Sequence, residues 1–515
     1  MRTRTFALLL ALTLGGCGGG GSGQKSDAGT APRGTQTGAS VINLAPGTRE
    51  IAVIDNPYSS HSLSLWLSTS LVDDGRAMVG FGLQDLTDSS GTTRQMLAVR
   101  SQNGMWNPLE QRTAAEALDL ARDPCVSSDG WVAQGEDHPP LAVTAGLLGR
   151  LTTDDPRCPA WSNRGVAQFG AVQHVELSND LRLTVSETDS AGGTRSFDAF
   201  QIPVPAAWAL DSNGYASLTH ASKGTGAYLW SEHRTEPDAV PVRRMRAALL
   251  DYPMISGTVS PSIVEIGLLN ASTFPCARIA SASSSRRHMA DAEAFTNGGR
   301  TLLLWGQREP ASPTCAIYAA VLDSSSHAVL TPATAISTPG QFASTAWGSV
   351  GSNGEILVGW LENMDSSGNW SGMGYFHTRS MPSASTTWDS AVKTVGGTDS
   401  NPPVYYSNMI AAGDNGTIAA VRQRQIELKE EGREIGDMDY YLQRFVPEAG
   451  WSDETLIATG VATNTRGTPS PGWLFVVPSV DSHGKVTVGY ATPRACGDST
   501  CSPDSRFHLF ALDLD

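Results

Sequence analysis

Short apolar runs recur along this chain, each introduced by a polar turn, and no stretch sustains the 3.6-residue period of an amphipathic helix. Asp74-Gly75 precedes the run 76–81, Asp129-Gly130 precedes 131–134, and Asn353-Gly354 precedes 355–360. Asn415-Gly416 and His483-Gly484 introduce 417–421 and 485–490 in the same way. An Asx or His followed by Gly between two strand-like runs is a hairpin signal, because glycine enters the positive-φ region without steric cost. Asn179-Asp180, Lys223-Gly224 and Gly298-Gly299 are weaker members of the series, which brings it to eight units.

Each unit reads as four strands. In the clearest one they fall near 288–296, 300–306, 316–322 and 329–333. Tryptophans mark the repeat: Trp230, Trp305 and Trp360 end second strands, Trp66, Trp347 and Trp473 lie in first strands, and Trp106, Trp161, Trp208, Trp388 and Trp451 follow polar turns. A large ring at a repeated position is expected to pack between units rather than stack on a ligand. Four-stranded repeats of roughly 40–60 residues that cannot bury their own faces point to an all-β fold, a β-propeller. Eight anchors favour eight blades, or seven if Asn179-Asp180 is not a true turn. From Val41 to Asp515 the chain resembles bacterial β-propeller lipoproteins, without the Gly-His and Trp-Asp signature of WD40 repeats. The last unit ends after a third strand at 506–514, and an isolated strand at 49–54 precedes the first complete unit. Together they are expected to close the ring and remove an open sheet edge.

Composition fits this reading. Of 515 residues, 53 are Gly and 29 Pro, and only 17% are charged, which disfavours long helices, coiled coils and charge-driven disorder. The net charge of −15 makes nucleic acid and anionic lipid surfaces poor partners.

Arg2 and Arg4 precede an apolar run, 6–14, that ends in Leu14-Gly15-Gly16-Cys17. The run is too short to span a bilayer as a helix, and the layout is that of an export signal. It resembles a bacterial lipoprotein signal. That resemblance implies removal of 1–16, lipidation of Cys17 and, with Gly at position 18, an outer-membrane address facing the periplasm or the exterior. Residues 17–40 then read as a lipidated Gly/Ser-rich tether, and 41–515 as one propeller domain. Six further cysteines form three sequence-local pairs, Cys125 with Cys158, Cys276 with Cys315 and Cys496 with Cys501, expected as disulfides in an oxidising compartment. No Cys-x-x-Cys occurs, so zinc is the minor reading.

Polar residues cluster after the second strands, where loops of a propeller gather on one face. The candidate binding rim comprises Glu136, His138, Glu232, His233, Arg234, Arg308, Glu309, Glu362, Arg422, Arg424 and Arg494. Two of these loops are enlarged, 232–241 and the strongly charged 425–439. Zinc-protease, nucleophile-elbow, phosphate-loop and dinucleotide motifs are missing, and no catalytic residue, metal or cofactor is assigned. Phe200-Gln201-Ile202-Pro203 is similar to the Phe-Arg-Ile-Pro motif of sialidases, with Gln201 where that family has its carboxylate-binding arginine. The segment 365–370 only approximates the accompanying Asp box.

The expectation from sequence is a lipid-anchored envelope propeller that binds a protein or glycan without catalysis. The alternative is a carbohydrate-active hydrolase or lyase, remotely sialidase-like, working through rim carboxylates and arginines.

Overall fold

The computed structural model describes residues 43–514 in segments. Residues 1–42 lie outside it, with the stretches 56–62, 72–76, 86–92, 114–124, 127–130, 134–140, 151–166, 178–181, 189–193, 216–224, 235–241, 252–260, 270–275, 281–288, 309–313, 363–372, 397–403, 426–437, 461–473 and 497–500, a few of one to three residues, and nearly all side chains from 109 to 199. The export signal, Cys17 and the tether, together with Glu136, His138, Glu309 and Cys158, therefore fall outside the described residues.

The protein is all-β and of propeller type. Among the described residues the strands gather into eight sheets, most of them antiparallel meanders taken in chain order. The fifth blade is the simplest: Ala292–Asn297, Arg300–Arg308, Cys315–Asp323 and Val329–Ala335, within a few residues of the expected strands. Ala171–Leu177 and Arg182–Thr188 pair on either side of Asn179-Asp180, so the weakest of the eight turn signals also separates two paired strands. The turn glycines Gly298, Gly354, Gly416 and Gly484 all have positive φ, as the Asx-Gly pattern requires. Gly298 is required for a second reason, since a Cβ there would clash with the backbone nitrogen of Gly354 at the neighbouring blade's turn.

Side-chain packing is described from the fourth blade through the eighth and on to the first. Alternate residues of each second strand face opposite neighbours. Leu229 of the fourth blade, with Met245 and Ala247, packs against Ala294, Leu303 and Trp305 of the fifth. Leu302, Leu304 and Val321 then meet Val350, Val358 and Trp360 of the sixth. Trp347 and Phe376 meet Ile418, Ala420 and Phe445, and Val421 and Leu442 meet Val488 and Tyr490. Trp230, Trp305, Trp347 and Trp360 are wholly buried, and Trp305, Trp347 and Trp360 pack between blades as expected.

The termini meet as the sequence suggested. Arg49–Asp55 pairs antiparallel with Cys501–Leu514 as the outermost strand of the eighth blade, with Ile51, Ala52 and Ile54 buried against Leu67, Val79 and Phe81 of the first. Arg100 of the first blade forms an ion pair with Asp513 of the eighth, and His508 Nδ1 lies 2.8 Å from Glu50 Oε2 within the joined sheet. Asn43–Leu44 adds a strand to the seventh blade beside Thr455–Gly460, so the N-terminal segment straps two adjacent blades.

One connection departs from the meander. After the fourth blade, Arg278–Ala280 crosses to run parallel to Ala343–Val350, the innermost strand of the sixth blade, and Met289–Ala290 pairs beside it. Cys276, at the base of this hairpin, is disulfide-bonded to Cys315 of the fifth blade, which confirms one expected pair. Cys496 and Cys501 face each other in register; their sulfurs, like that of Cys125, lie outside the described residues.

The strap yields a prediction. Ile54→Ala should lower unfolding stability by about 2–4 kcal/mol, and removal of residues 41–56 should lower the midpoint of urea unfolding further. Unchanged midpoints for both variants would show that closure does not depend on this strand.

Candidate functional site

Trp305 and Trp360, wholly buried near the ends of their second strands, face the preceding blade, and strand alternation puts the residue two positions on at the same sheet face. In the fourth, fifth and sixth blades this pair is Trp230 and Glu232, Trp305 and Gln307, and Trp360 and Glu362. Ala420 faces the preceding blade in the seventh and places Arg422 at the same position. The sequence placed these residues in loops after the second strands, whereas the structure places Glu232, Glu362 and Arg422 within the strands. Glu232, His233 and Arg234 belong to the strand Thr225–Arg234, and Glu232 is fully buried rather than part of a loop. Arg422 and Arg424 likewise sit within Ile418–Gln425, and Asp439 is buried in Met438–Val446 instead of ending an exposed finger. The physical reason is strand length: the second strands run past the tryptophan, so the polar residues close the inter-blade layer instead of standing free above it. Arg308, at the end of Arg300–Arg308, and Arg424 are exposed. Arg494 lies in Val486–Cys496, and its side chain is outside the described set.

These positions differ sharply in how charge is balanced. Glu232 Oε1 accepts hydrogen bonds from Trp230 Nε1 at 2.8 Å and from Arg246 at 2.9 Å. Oε2 accepts from Arg244 Nε at 2.8 Å and from its terminal nitrogen at 2.6 Å. Burial pushes this carboxyl up, yet the bonds from Trp230, Arg246 and Arg244 outweigh it and hold the pKa below the ordinary value. Arg244 also stacks 3.9 Å from the Trp208 ring and reaches Glu265, while Arg246 donates to the Pro203 carbonyl. Gln201, the departure from the sialidase motif, is an exposed residue of the short strand Phe200–Gln201. In the fifth blade the position is neutral: Trp305 Nε1 donates to Gln307 Oε1 at 3.1 Å. In the seventh, Arg422 forms a two-pronged ion pair with Glu454 and lies 4.3 Å over the Tyr441 ring. Burial pulls that guanidinium down, but Glu454 more than compensates and its pKa is raised.

The sixth blade is the exception. Glu362 ends Ile356–Glu362 with its side chain 13% exposed, and its Oε2 is buried without a hydrogen-bond partner. Its cross-strand neighbour is Tyr375; that of Trp360 is His377. His377 Nε2 lies 3.7 Å from Glu362 Oε2, its ring tilts over Trp360 at 5.9 Å, and its Nδ1 bonds Thr394 Oγ1 at 3.0 Å. Burial raises the Glu362 pKa; nearby Trp360 and Thr338 only partly oppose it, and Trp360 Nε1 makes no well-formed hydrogen bond. Burial also lowers the His377 pKa, so both members of the pair are driven toward their neutral forms. A partly exposed, perturbed acid–imidazole pair with an unmet acceptor is the strongest candidate site among the described residues. Among those residues no group of three or more His, Cys, Asp or Glu gathers as a metal site. Sequence reading named Glu362 but missed Tyr375 and His377 opposite its strand, and Arg244, Arg246 and Glu454 at the matching positions of other blades; all lie on third or fourth strands or their approaches and are brought in only by register and packing.

No protein-family model and no curated protein sequence matches the chain. Among solved structures it is similar to the β-propeller domain of the Trilobed protease from Pyrococcus furiosus, at 8% identity over 87% of this chain and 92% of that one, with a TM-score of 0.32. The fucose-specific lectin from Aleuria aurantia shares 14% identity over 82% of this chain and all of its own, with a TM-score of 0.28. A polysaccharide lyase family 25 ulvan lyase shares 9% identity over 66% of this chain and 78% of its own, with a TM-score of 0.31. Likenesses of this degree carry no functional argument.

Opposite effects are expected from the same substitution in two blades. Glu232→Gln leaves Arg244 and Arg246 without their carboxylate and should cost about 3–5 kcal/mol. Glu362→Gln copies the Trp305–Gln307 arrangement and should stabilise. A raised carboxyl pKa favours folding when protonated, and that contribution is lost as pH rises through the folded value. The melting advantage of Glu362→Gln over wild type should therefore be absent near pH 4, grow as pH rises above the ordinary 4.5, and then level off. A pH-independent difference would contradict the assignment.

Proposed function

We propose that this is a lipid-anchored propeller of the bacterial envelope that binds a protein or glycan ligand without converting it, and that it binds beside Glu362, where the sixth blade meets the fifth. The observation that carries the reading is Glu362: of the polar groups described at this repeated position, it alone is an acid without a cation or a completed hydrogen-bond set. The anchor rests on the sequence pattern ending at Cys17.

The same pair supports a second reading. A carboxyl with a raised pKa beside an imidazole with a lowered one is suited to exchange a proton with a reacting group. A carbohydrate-active hydrolase or lyase would use Glu362 as acid and His377 as base.

Two measurements test these readings. Cys17→Ser should abolish the lipid mass on the N-terminus and release the protein from the membrane fraction; retention of both would remove the anchor. A photo-cross-linking residue at Thr338, beside Glu362, should capture an envelope ligand in intact cells, and Glu362→Gln should abolish that capture while the protein stays folded. Capture unaffected by Glu362→Gln would place the ligand elsewhere. Turnover of a glycan panel that is lost in both Glu362→Gln and His377→Gln would establish the enzymatic reading instead.

A further inference from the structure

In the first, fourth, fifth, seventh and eighth blades the first strand ends its sheet, which leaves a free edge toward the middle of the ring. The sixth blade differs. There Arg278–Ala280 runs parallel to Thr345, Ala346 and Trp347 and covers that edge. The added strand is short: three residues face the sixth blade and two face Met289–Ala290, whereas Ala343–Val350 pairs along its length with Ile356–Glu362 on its other side.

Packing adds a modest hold. Ala277 and Ile279 belong to the layer that contains Leu304 and Trp360, and Ala280 joins the cluster of Trp347 on the other side of the sixth blade. Ala277 fits its place because residue 306 is Gly, where a Cβ would collide with it, and the Cys276 amide donates to the Gly306 carbonyl at 3.3 Å. Only Ile279 brings a large apolar side chain to these contacts. The covalent tie is Cys276–Cys315, with a sequence separation of 39, which fastens the start of the strand to the third strand of the fifth blade. A cross-link over a loop of this size restricts the opened state and shifts an opening equilibrium by about ten-fold or more. Cys315 is wholly buried and Cys276 half-buried, so Cys276 is the approachable end of the bond.

We propose that Cys276–Cys315 is a redox latch: a protein dithiol that reduces it frees Arg278–Ala280 from the inner edge of the sixth blade while the ring stays closed. One thiolate of the reductant bonds the Cys276 sulfur as the bond to Cys315 breaks, and Cys315 leaves as a thiolate that takes a proton. The second thiolate of the reductant then displaces Cys276, which is protonated in turn. The reductant ends as a disulfide and both cysteines as thiols. The ring survives because its closure lies elsewhere, in the pairing of Arg49–Asp55 with Cys501–Leu514, and because Phe295, Leu302, Val358 and Trp360 still fill the layer between the fifth and sixth blades. The latch is independent of whether a ligand binds beside Glu362.

The test uses the full chain and reads trypsin cleavage after Arg278, since the bond to Ile279 lies inside the paired strand and Ile279 is buried. Reduction with dithiothreitol, verified by alkylation of Cys276 and Cys315, should speed this cut at least about ten-fold. Hydrogen exchange should rise in 343–350 and stay unchanged in 486–496 of the eighth blade. Cys276→Ser combined with Cys315→Ser should be cut at the reduced rate without reductant, which separates the latch from the other cysteines; the reduced wild type serves where that variant does not fold. A dithiol oxidoreductase lacking its second cysteine should be trapped on Cys276. A cut no faster after verified reduction, exchange that rises equally in 486–496, or trapping on Cys315 overturns the proposal.

Discussion

A four-stranded sheet has two faces and cannot bury either alone, so the fold depends on the layer where each blade meets the one before it. A large ring near the end of the second strand fills that layer: Trp305, Trp360 and Tyr490 are all wholly buried there, with Phe81 doing the same where the first blade meets the eighth. Each such ring removes on the order of 150–250 Å² from water, which outweighs the cost of ordering a stiff side chain. The layer also has an end. Two residues beyond the ring the strand still faces its neighbour, and a polar group placed there must find partners or be disfavoured by burial.

The blades solve that local problem in different ways. A neutral amide meets its own tryptophan at Gln307, two arginines enclose Glu232, and Arg422 is matched by Glu454. These arrangements consume their own hydrogen-bonding capacity, and what they contribute is order between blades. Glu362 and His377 instead leave capacity unspent and titration behaviour displaced, at a place that retains some exposure. Electrostatic balance, rather than the mere presence of acids and arginines, is what separates a structural position from a candidate site.

Much of the fold was legible because it is written locally. Asx-Gly turns set the hairpins, the tryptophan spacing set the repeat, and a spare strand at 49–54 matched a unit that lacked one. Cys276 and Cys315 are close enough in sequence to be paired by inspection. The site was legible only in part. Glu232 and Glu362 read as loop residues because nothing local marks where a second strand ends, and their partners depend on which residue of the third strand lies opposite. The alternation around Arg244, Met245 and Arg246 carried a trace of this, with Met245 packed against the fifth blade and the arginines bonded to Glu232 of their own sheet. The crossing of 278–280 to the sixth blade had no local signature, because parallel pairing between segments about 65 residues apart is decided by packing.

The central claim is that one repeated position holds a compensated acid in the fourth blade and an uncompensated one in the sixth. Carbon-13 NMR titration of the glutamate side-chain carboxyls, assigned through Glu232→Gln and Glu362→Gln, tests it most directly. The account predicts that the Glu232 signal titrates below the ordinary carboxyl range and the Glu362 signal above it. Two overlapping curves, or the reverse order, would contradict it.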